Sequence, residues 1–177
     1  MITCHELALA DTIGSSTMAF SDGIQSGLAR IGEANGITIR LATMDSLALP
    51  SPDVIKIDAE DHELDVLKGA AATIERARPY VVFENWLHRD LPALTLDPFH
   101  WFSERGYGFF LAGWVAGETT FIVQDLPTLK DGHATLVMLP FLPEQRFHLP
   151  SQLNVLAVPN DRRDDFRRRI EGANNEV

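Results

Sequence analysis

The sequence predicts an α/β domain with a mostly parallel sheet flanked by helices, and three observations support this class. Residues 54–84, VIKIDAEDHELDVLKGAAATIERARPYVVFE, contain an apolar strand, a segment of helical period and a second apolar strand. Further short apolar segments follow towards the C-terminus. The chain has 177 residues, 45% of them hydrophobic, which suffices for one sizeable core. Strand–helix–strand units with short connections are typical of parallel sheets.

The N-terminal third predicts strands and turns. Ile2–Ala10 is expected to be a buried strand, with Cys4 as a small apolar residue inside it. Residues 11–23 carry turn signals at both ends of a β-prone middle, which predicts a hairpin. Gly36–Leu47 alternates apolar and polar residues at its start, as a half-buried strand does.

The central unit predicts one long helix between two strands. Val54–Ile57 is a short apolar strand, and Tyr80–Phe83 is the next one. From Glu60 the apolar residues change to helical spacing, so we expect a helix of about five turns that Pro79 ends. Its expected apolar face consists of Leu64, Leu67, Ala71 and Ile74.

The C-terminal part predicts a short helix, several strands and a charged tail. Asp97–Arg105 is expected to be helical and to end at Gly106. The segments GFFLA, TTFIV and ATLVML predict strands, and Gln152–Pro159 predicts the last one. Residues 160–177 hold five of the 15 basic residues, mixed with acids. This tail is expected to be a solvated terminal helix that frays, with a contact to a partner as the alternative.

Composition excludes several classes of function. Lys and Arg number 15 against 25 Asp and Glu, and a formal net charge of −10 disfavours binding to nucleic acid or to an anionic membrane. A single cysteine permits neither an intramolecular disulfide nor a cysteine-rich zinc site. We find no secretory signal and no apolar run of about 18 residues that would span a bilayer. The expected location is therefore cytoplasmic.

Carboxylates follow both strands of the central unit. Asp58 comes directly after the first strand and Glu84 after the second, and ligands gather at the carboxyl ends of parallel strands. This arrangement indicates a functional site, although each carboxylate could instead cap the helix or loop that follows it. Residues 58–63 are also rich in hard oxygen ligands, which permits a Mg²⁺-dependent hydrolase as an alternative. On a helix these side chains would point in different directions, so we predict no metal site.

The central unit also resembles a known family. K-I-D-x-E-x-x-E-x-x-V-L-x-G-A over residues 56–70, followed by R-P-x-x-x-x-E over residues 78–84, is similar to the signature of FkbM-type methyltransferases. The segments ELALADTIG, LATMDSL and NVLAVP resemble further family segments in the same order, so the likeness extends over residues 1–159. The resemblance implies a Rossmann-like fold and S-adenosylmethionine as cofactor. It also implies O-methylation of a small-molecule or sugar hydroxyl.

The resemblance assigns roles to five residues. As catalytic groups it implies Asp58 first, Glu60 second and Glu84 third, because a carboxylate suits removal of the acceptor hydroxyl proton. As cofactor-binding residues it implies Ala8, Asp11 and again Asp58.

Two features depart from the family pattern. Asp61 stands where the family usually has glycine, which permits positive φ or close backbone approach. No Gly-rich turn after a strand precedes Ala8, so residues 1–159 are expected to form a partial methyltransferase domain that lacks the first two strands. The missing strands would leave the Val54 strand with an open edge that favours self-association. The alternative function is a non-catalytic remnant that binds no cofactor.

Overall fold

The described residues form ten strands and four α-helices in two units. The structure is a computed structural model that describes residues 2–20, 29–31, 36–116, 119–122 and 135–175. The first unit comprises residues 1–53 and 57–78, and the second comprises residues 54–56 and 79–177. None of the helices in these described ranges combines the length and the apolar character needed to cross a bilayer.

A four-stranded sheet forms the first unit, in the order β1-β4-β2-β3. Strand β1, Ala8–Leu9, pairs in parallel with β4, Ile37–Ala42. Strand β2, Gly14–Phe20, pairs antiparallel with β4 and with β3, Ala29–Ile31. Strand β2 is the β-prone middle of the predicted hairpin over residues 11–23, but its antiparallel partners β3 and β4 lie beyond that segment, and residues 21–23 lie outside the described residues.

The predicted strand Ile2–Ala10 is wrong in extent. Only two of its residues pair, because a turn in which Leu7 N–H donates to His5 O (3.0 Å) precedes them. The polar pair His5 and Glu6 lies in this exposed stretch. Cys4 is exposed rather than buried for the same reason.

Two short helices replace the single predicted helix. Helix α1, Glu63–Gly69, and helix α2, Ala71–Ala77, are separated at Ala70. The buried face is rotated by about one residue from the predicted one, since Val66, Leu67 and Ile74 are buried whereas Leu64 is half-buried. Arg78 adopts φ 48° and donates its N–H to Ile74 O, a left-handed helix end that precedes Pro79 as predicted.

Glycine 69 permits a close approach at the end of α1. A Cβ at this position would overlap with the carbonyl oxygen of Ala10 and would lie 3.4 Å from Cα of Asp11. The carboxyl end of α1 therefore lies directly against the residues that follow β1.

A six-stranded mixed sheet forms the core of the second unit. Its path is β5 (Val54–Ile57), β6 (Tyr80–Trp86), β10 (Gln152–Pro159), β7 (Tyr107–Ala116) and β8 (Thr119–Ile122). Strand β9, Thr135–Phe141, also pairs with β7. Strand β10 is antiparallel to both β6 and β7, and β7 is antiparallel to β8 and β9.

The mixed α/β class is thus confirmed, whereas a mostly parallel sheet is not, because most of the described ladders are antiparallel. The predicted strands Val54–Ile57 and Gln152–Pro159 are confirmed at both ends.

Aromatic packing holds helix α3, Pro92–Glu104, against this sheet. Phe99 and Phe102 from α3 contact Phe83 on β6, with ring centroids 5.3 and 5.4 Å away. Phe99 also packs edge-to-face against Phe109 at 5.0 Å. The helix starts five residues earlier than predicted, because a proline at its first position suits a helix start.

Gly106 (φ 70°) ends α3 as expected, and its N–H donates to Ser103 O.

The C-terminal helix α4, Arg163–Asn175, docks on the same unit. Phe166 is 8% exposed and packs against Tyr80 and Phe110, with ring centroids 5.9 and 5.0 Å away. Tyr80 Oη donates to Asp165 Oδ2 at 2.8 Å. A terminal helix is confirmed, but the face that carries Phe166 is buried rather than solvated. The division into residues 1–159 and 160–177 stays a prediction.

We expect Gly69→Ala to lower the free energy of unfolding by about 1–3 kcal/mol, because the added methyl group meets a backbone carbonyl. Gly172→Ala in α4 is the matched control. A Cβ there meets no atom within 4 Å, so alanine should raise stability by about 0.5–1 kcal/mol through its better helix propensity. Urea unfolding measures both. A stabilising effect of Gly69→Ala would show that α1 does not lie against Ala10.

Candidate functional site

A tight turn joins β5 to α1. His62 N–H donates to Ala59 O at 3.1 Å, and the two residues between them have positive φ, 48° at Glu60 and 76° at Asp61. These values define a type I′ turn, whose central positions favour Gly, Asn and Asp. Of the two roles that the sequence left open for a glycine at position 61, positive φ is one that the structure shows. Left-handed non-glycine residues are strained and cluster at functional sites.

Glu63 fixes this turn from the other side. Its side chain is buried, and Oε1 accepts the N–H of Ala59 at 2.9 Å. His62 Nδ1 lies 3.3 Å from Asp65 Oδ2. Two of the groups that the metal alternative required are therefore directed elsewhere. Lys56, on β5, is exposed.

The predicted residues of the first unit fall at two places. Asp58 is exposed and Glu60 is half-buried, and both belong to the segment that precedes α1. Asp11 lies beside Gly69 at the other end of α1, a helix whose seven residues rise about 10 Å. Ala8 is buried, so only its backbone is available to a ligand.

Glu84 lies on β6 in the second unit and is 6% exposed. Its Oε2 accepts the indole N–H of Trp86 at 3.1 Å, and its Oε1 accepts an N–H of the Gln152 amide. The indole N–H and the amide N–H can act only as donors, so both carboxylate oxygens of Glu84 serve as acceptors. Glu84 is thus held by its own sheet rather than capping the following loop.

A buried guanidinium that the sequence patterns did not predict contacts Asn85, the residue that follows Glu84 in the chain. Arg146 is 0% exposed and donates to Asn85 Oδ1 (2.6 Å), Asn85 O (2.8 Å), Pro150 O (2.7 Å) and Ser151 O (2.9 Å). Burial, together with the nearby charge of Arg89, lowers the pKa of Arg146 to about 10. The one local signal is Asn85, a second polar residue beside Glu84 in strand β6.

Thr43 and Asp45 in the LATMDSL segment have structural roles. Thr43 Oγ1 accepts Ser46 N–H at the start of the 3₁₀ helix Met44–Leu47. The two carboxylate oxygens of Asp45 accept the N–H groups of Ala72 (2.9 Å) and Thr73 (2.8 Å), which begin α2. Burial alone would raise the pKa of Asp45, but hydrogen bonds from Thr73 and Ala72 and the charge of Arg76 lower it overall.

Because both substitutions at Asp61 remove the same carboxylate, the comparison of Asp61→Gly with Asp61→Ala isolates the backbone. We expect the glycine variant to be more stable by about 1 kcal/mol, since L-residues pay about that much in the left-handed region. Urea unfolding of the same pair at Glu75, an exposed residue within α2, should give the opposite order. The same order of stability for the glycine and alanine variants at positions 61 and 75 would contradict the type I′ turn.

Asp45→Asn tests the remote cap of α2. We expect a loss of about 0.5–2 kcal/mol at neutral pH, the usual value of a helix cap. Because the folded-state pKa of Asp45 is lowered, its contribution is present above the ordinary carboxyl pKa and is lost as the pH falls below about 4.

Urea unfolding between pH 3 and pH 7 should therefore show the two proteins converging in acid. Asp11→Asn is the control, and convergence of that variant in the same way would contradict a specific cap.

Comparison with known proteins identifies the family. A family model described as methyltransferase FkbM domain matches residues 3–109, which is more than half of the chain. Searches among curated proteins and among solved structures gave no match. The matched range contains β1, the type I′ turn and Glu84. On this match, the chain belongs to the FkbM methyltransferase family.

Proposed function

We propose that the chain is an S-adenosylmethionine-dependent methyltransferase that O-methylates a small-molecule or sugar hydroxyl. The observation that carries the proposal is the family match over residues 3–109, which includes every residue to which a role was assigned. The strained turn between Ala59 and His62 supports it, because such backbone persists where a function needs it. A cytoplasmic location and self-association through the β5 edge are further parts of the proposal.

The residues at the two ends of α1 suit the cofactor's polar groups. The exposed carboxylates of Asp11 and Asp58 can accept hydrogen bonds from the ribose hydroxyls and the ammonium group of S-adenosylmethionine. The buried Ala8 can contribute backbone groups alone. The cofactor would supply an electrophilic methyl group bonded to a sulfonium.

The acceptor hydroxyl has to lose a proton as it attacks. Asp58 is the best placed base in the first unit, because it is exposed at the end of β5, with the half-buried Glu60 second. Glu84 suits orientation better than proton removal, since both of its oxygens already accept hydrogen bonds. Help from a general base is worth roughly 10²–10⁴-fold in rate.

Calorimetric titration of the 177-residue chain with S-adenosylmethionine tests the proposal. We expect saturable binding that Asp11→Asn and Asp58→Asn weaken, while Asp53→Asn, an exposed acid just before β5, does not. Transfer of a radiolabelled methyl group to a panel of sugars and small alcohols should fall at least about 100-fold in Asp58→Asn.

Absence of cofactor binding at millimolar concentration would contradict the proposal and favour a non-catalytic remnant. Thermal stabilisation by Mg²⁺ without cofactor binding would instead favour the metal-dependent hydrolase.

A further inference from the structure

An apolar groove lies between α4 and β9 in the second unit. Its volume is about 550 Å³, within the range of small-molecule sites. Helix α4 contributes Phe166 and Ile170, one turn apart, and the sheet contributes Phe110, Leu136 and Met138. Several of these side chains are only half-buried, so the groove presents accessible apolar surface to a ligand.

A second groove, of about 520 Å³, meets the first at Arg163, Phe110 and Pro140. The position of Arg163 is defined by Gly108 on β7. A Cβ at residue 108 would overlap with Nη2 of Arg163 and would lie 3.2 Å from its Cζ, so glycine makes room for the guanidinium. The cation therefore lies at the junction of two grooves, against the backbone of the sheet.

Arg163 differs from the other arginines near it. Arg162, Arg168 and Arg169 each lie within 4 Å of Asp165, and Arg167 lies 3.7 Å from Asp164. Among the described residues, Arg163 has no carboxylate at such a distance. The rim of the first groove also carries Arg167 and one acid, Glu171. An uncompensated cation beside an apolar groove is complementary to a ligand with an anionic head and an apolar tail.

We propose that this groove binds a single-chain anionic amphiphile, with the carboxylate at Arg163 and the hydrocarbon chain along Phe166, Ile170 and Met138. The site belongs to the second unit alone and includes none of the residues assigned to methyl transfer. Its test is therefore independent of the proposed methyltransferase activity.

Calorimetric titration of the full chain with dodecanoate, below its micelle concentration, tests the site. We expect one saturable site for dodecanoate and none for dodecylamine, which has the same tail and the opposite charge. Arg163→Gln should weaken dodecanoate binding about tenfold, the usual effect of losing one charge-assisted hydrogen bond. Arg168→Gln is the matched control, the same change on the same helix away from the groove, and should leave binding unchanged.

A second variant tests the apolar wall. Met138→Asp places a carboxylate in the groove and should abolish binding, with circular dichroism to verify folding, while Arg163→Gln covers the case in which it does not fold. The proposal is overturned by lack of saturable dodecanoate binding, by equal binding of dodecylamine, or by an equal loss in Arg168→Gln. A dimer that dodecanoate does not dissociate, and that Met138→Asp converts to monomer, would also overturn it by showing a second copy in the groove.

Discussion

The second unit depends on one buried charge, the guanidinium of Arg146. An ion out of water is strongly destabilising unless its donors are satisfied, and Arg146 meets this condition with a side-chain oxygen and three backbone carbonyls. These acceptors lie on β6 and just before β10, so the charge fixes the two segments together.

Asn85 in turn donates to Thr95 O (2.9 Å), and Thr95 Oγ1 donates to Trp86 O, which fastens the start of α3 to the end of β6. Glu84 precedes Asn85 directly, so the network limits the movement of its backbone. A lysine would not replace this interaction, because a point charge cannot reach acceptors in several directions as the planar fork does.

The first unit uses acidic side chains for the same purpose. Glu63 accepts Ala59 N–H, and Asp45 accepts the first N–H groups of α2, so both carboxylates satisfy backbone donors. Glu63 and Asp45 are therefore structural residues, although their motifs suggest a role in binding or catalysis. Asp58 and Glu60 flank these interactions, and their backbone is determined by them. Within the acidic motif, Glu63 therefore stabilises the turn, whereas the turn positions Asp58 and Glu60.

Short sequence patterns predicted the helices and strands whose formation depends on residues close together in the chain. Alternation and apolar runs located Val54–Ile57 and Gln152–Pro159, and the proline and glycine signals located the ends of α2 and α3. The remaining features depend on partners far along the chain. Arg146 and Asn85 are 61 residues apart in the sequence, and Asp45 and Ala72 are 27 residues apart. Both separations are longer than the short segments in which helix and strand patterns are recognised. The direction of most ladders was missed for a related reason, because β10 inserts between β6 and β7 from the end of the chain. The family signature located the acidic turn, but the type I′ geometry at Asp61 needed coordinates.

The C-terminal helix shows how little apolar character is enough for docking. Its charged residues predicted a solvated helix, and Arg167 and Arg168 are indeed exposed. Phe166 and Ile170 are its two large apolar residues, and because they are four apart they share one face and meet Tyr80 and Phe110 on the sheet.

Asp165 accepts a directional hydrogen bond from Tyr80 Oη, and hydrogen bonds from Arg169 and Tyr80 lower the pKa of its carboxyl. The carboxyl of Asp165 therefore ionises at a lower pH in the folded protein than an unperturbed aspartate does. Once Phe166 fixes the rotation of the helix, Arg163, three residues earlier, lies on the same side and reaches Gly108. The packing of one aromatic residue thus determines where an uncompensated positive charge lies on the sheet.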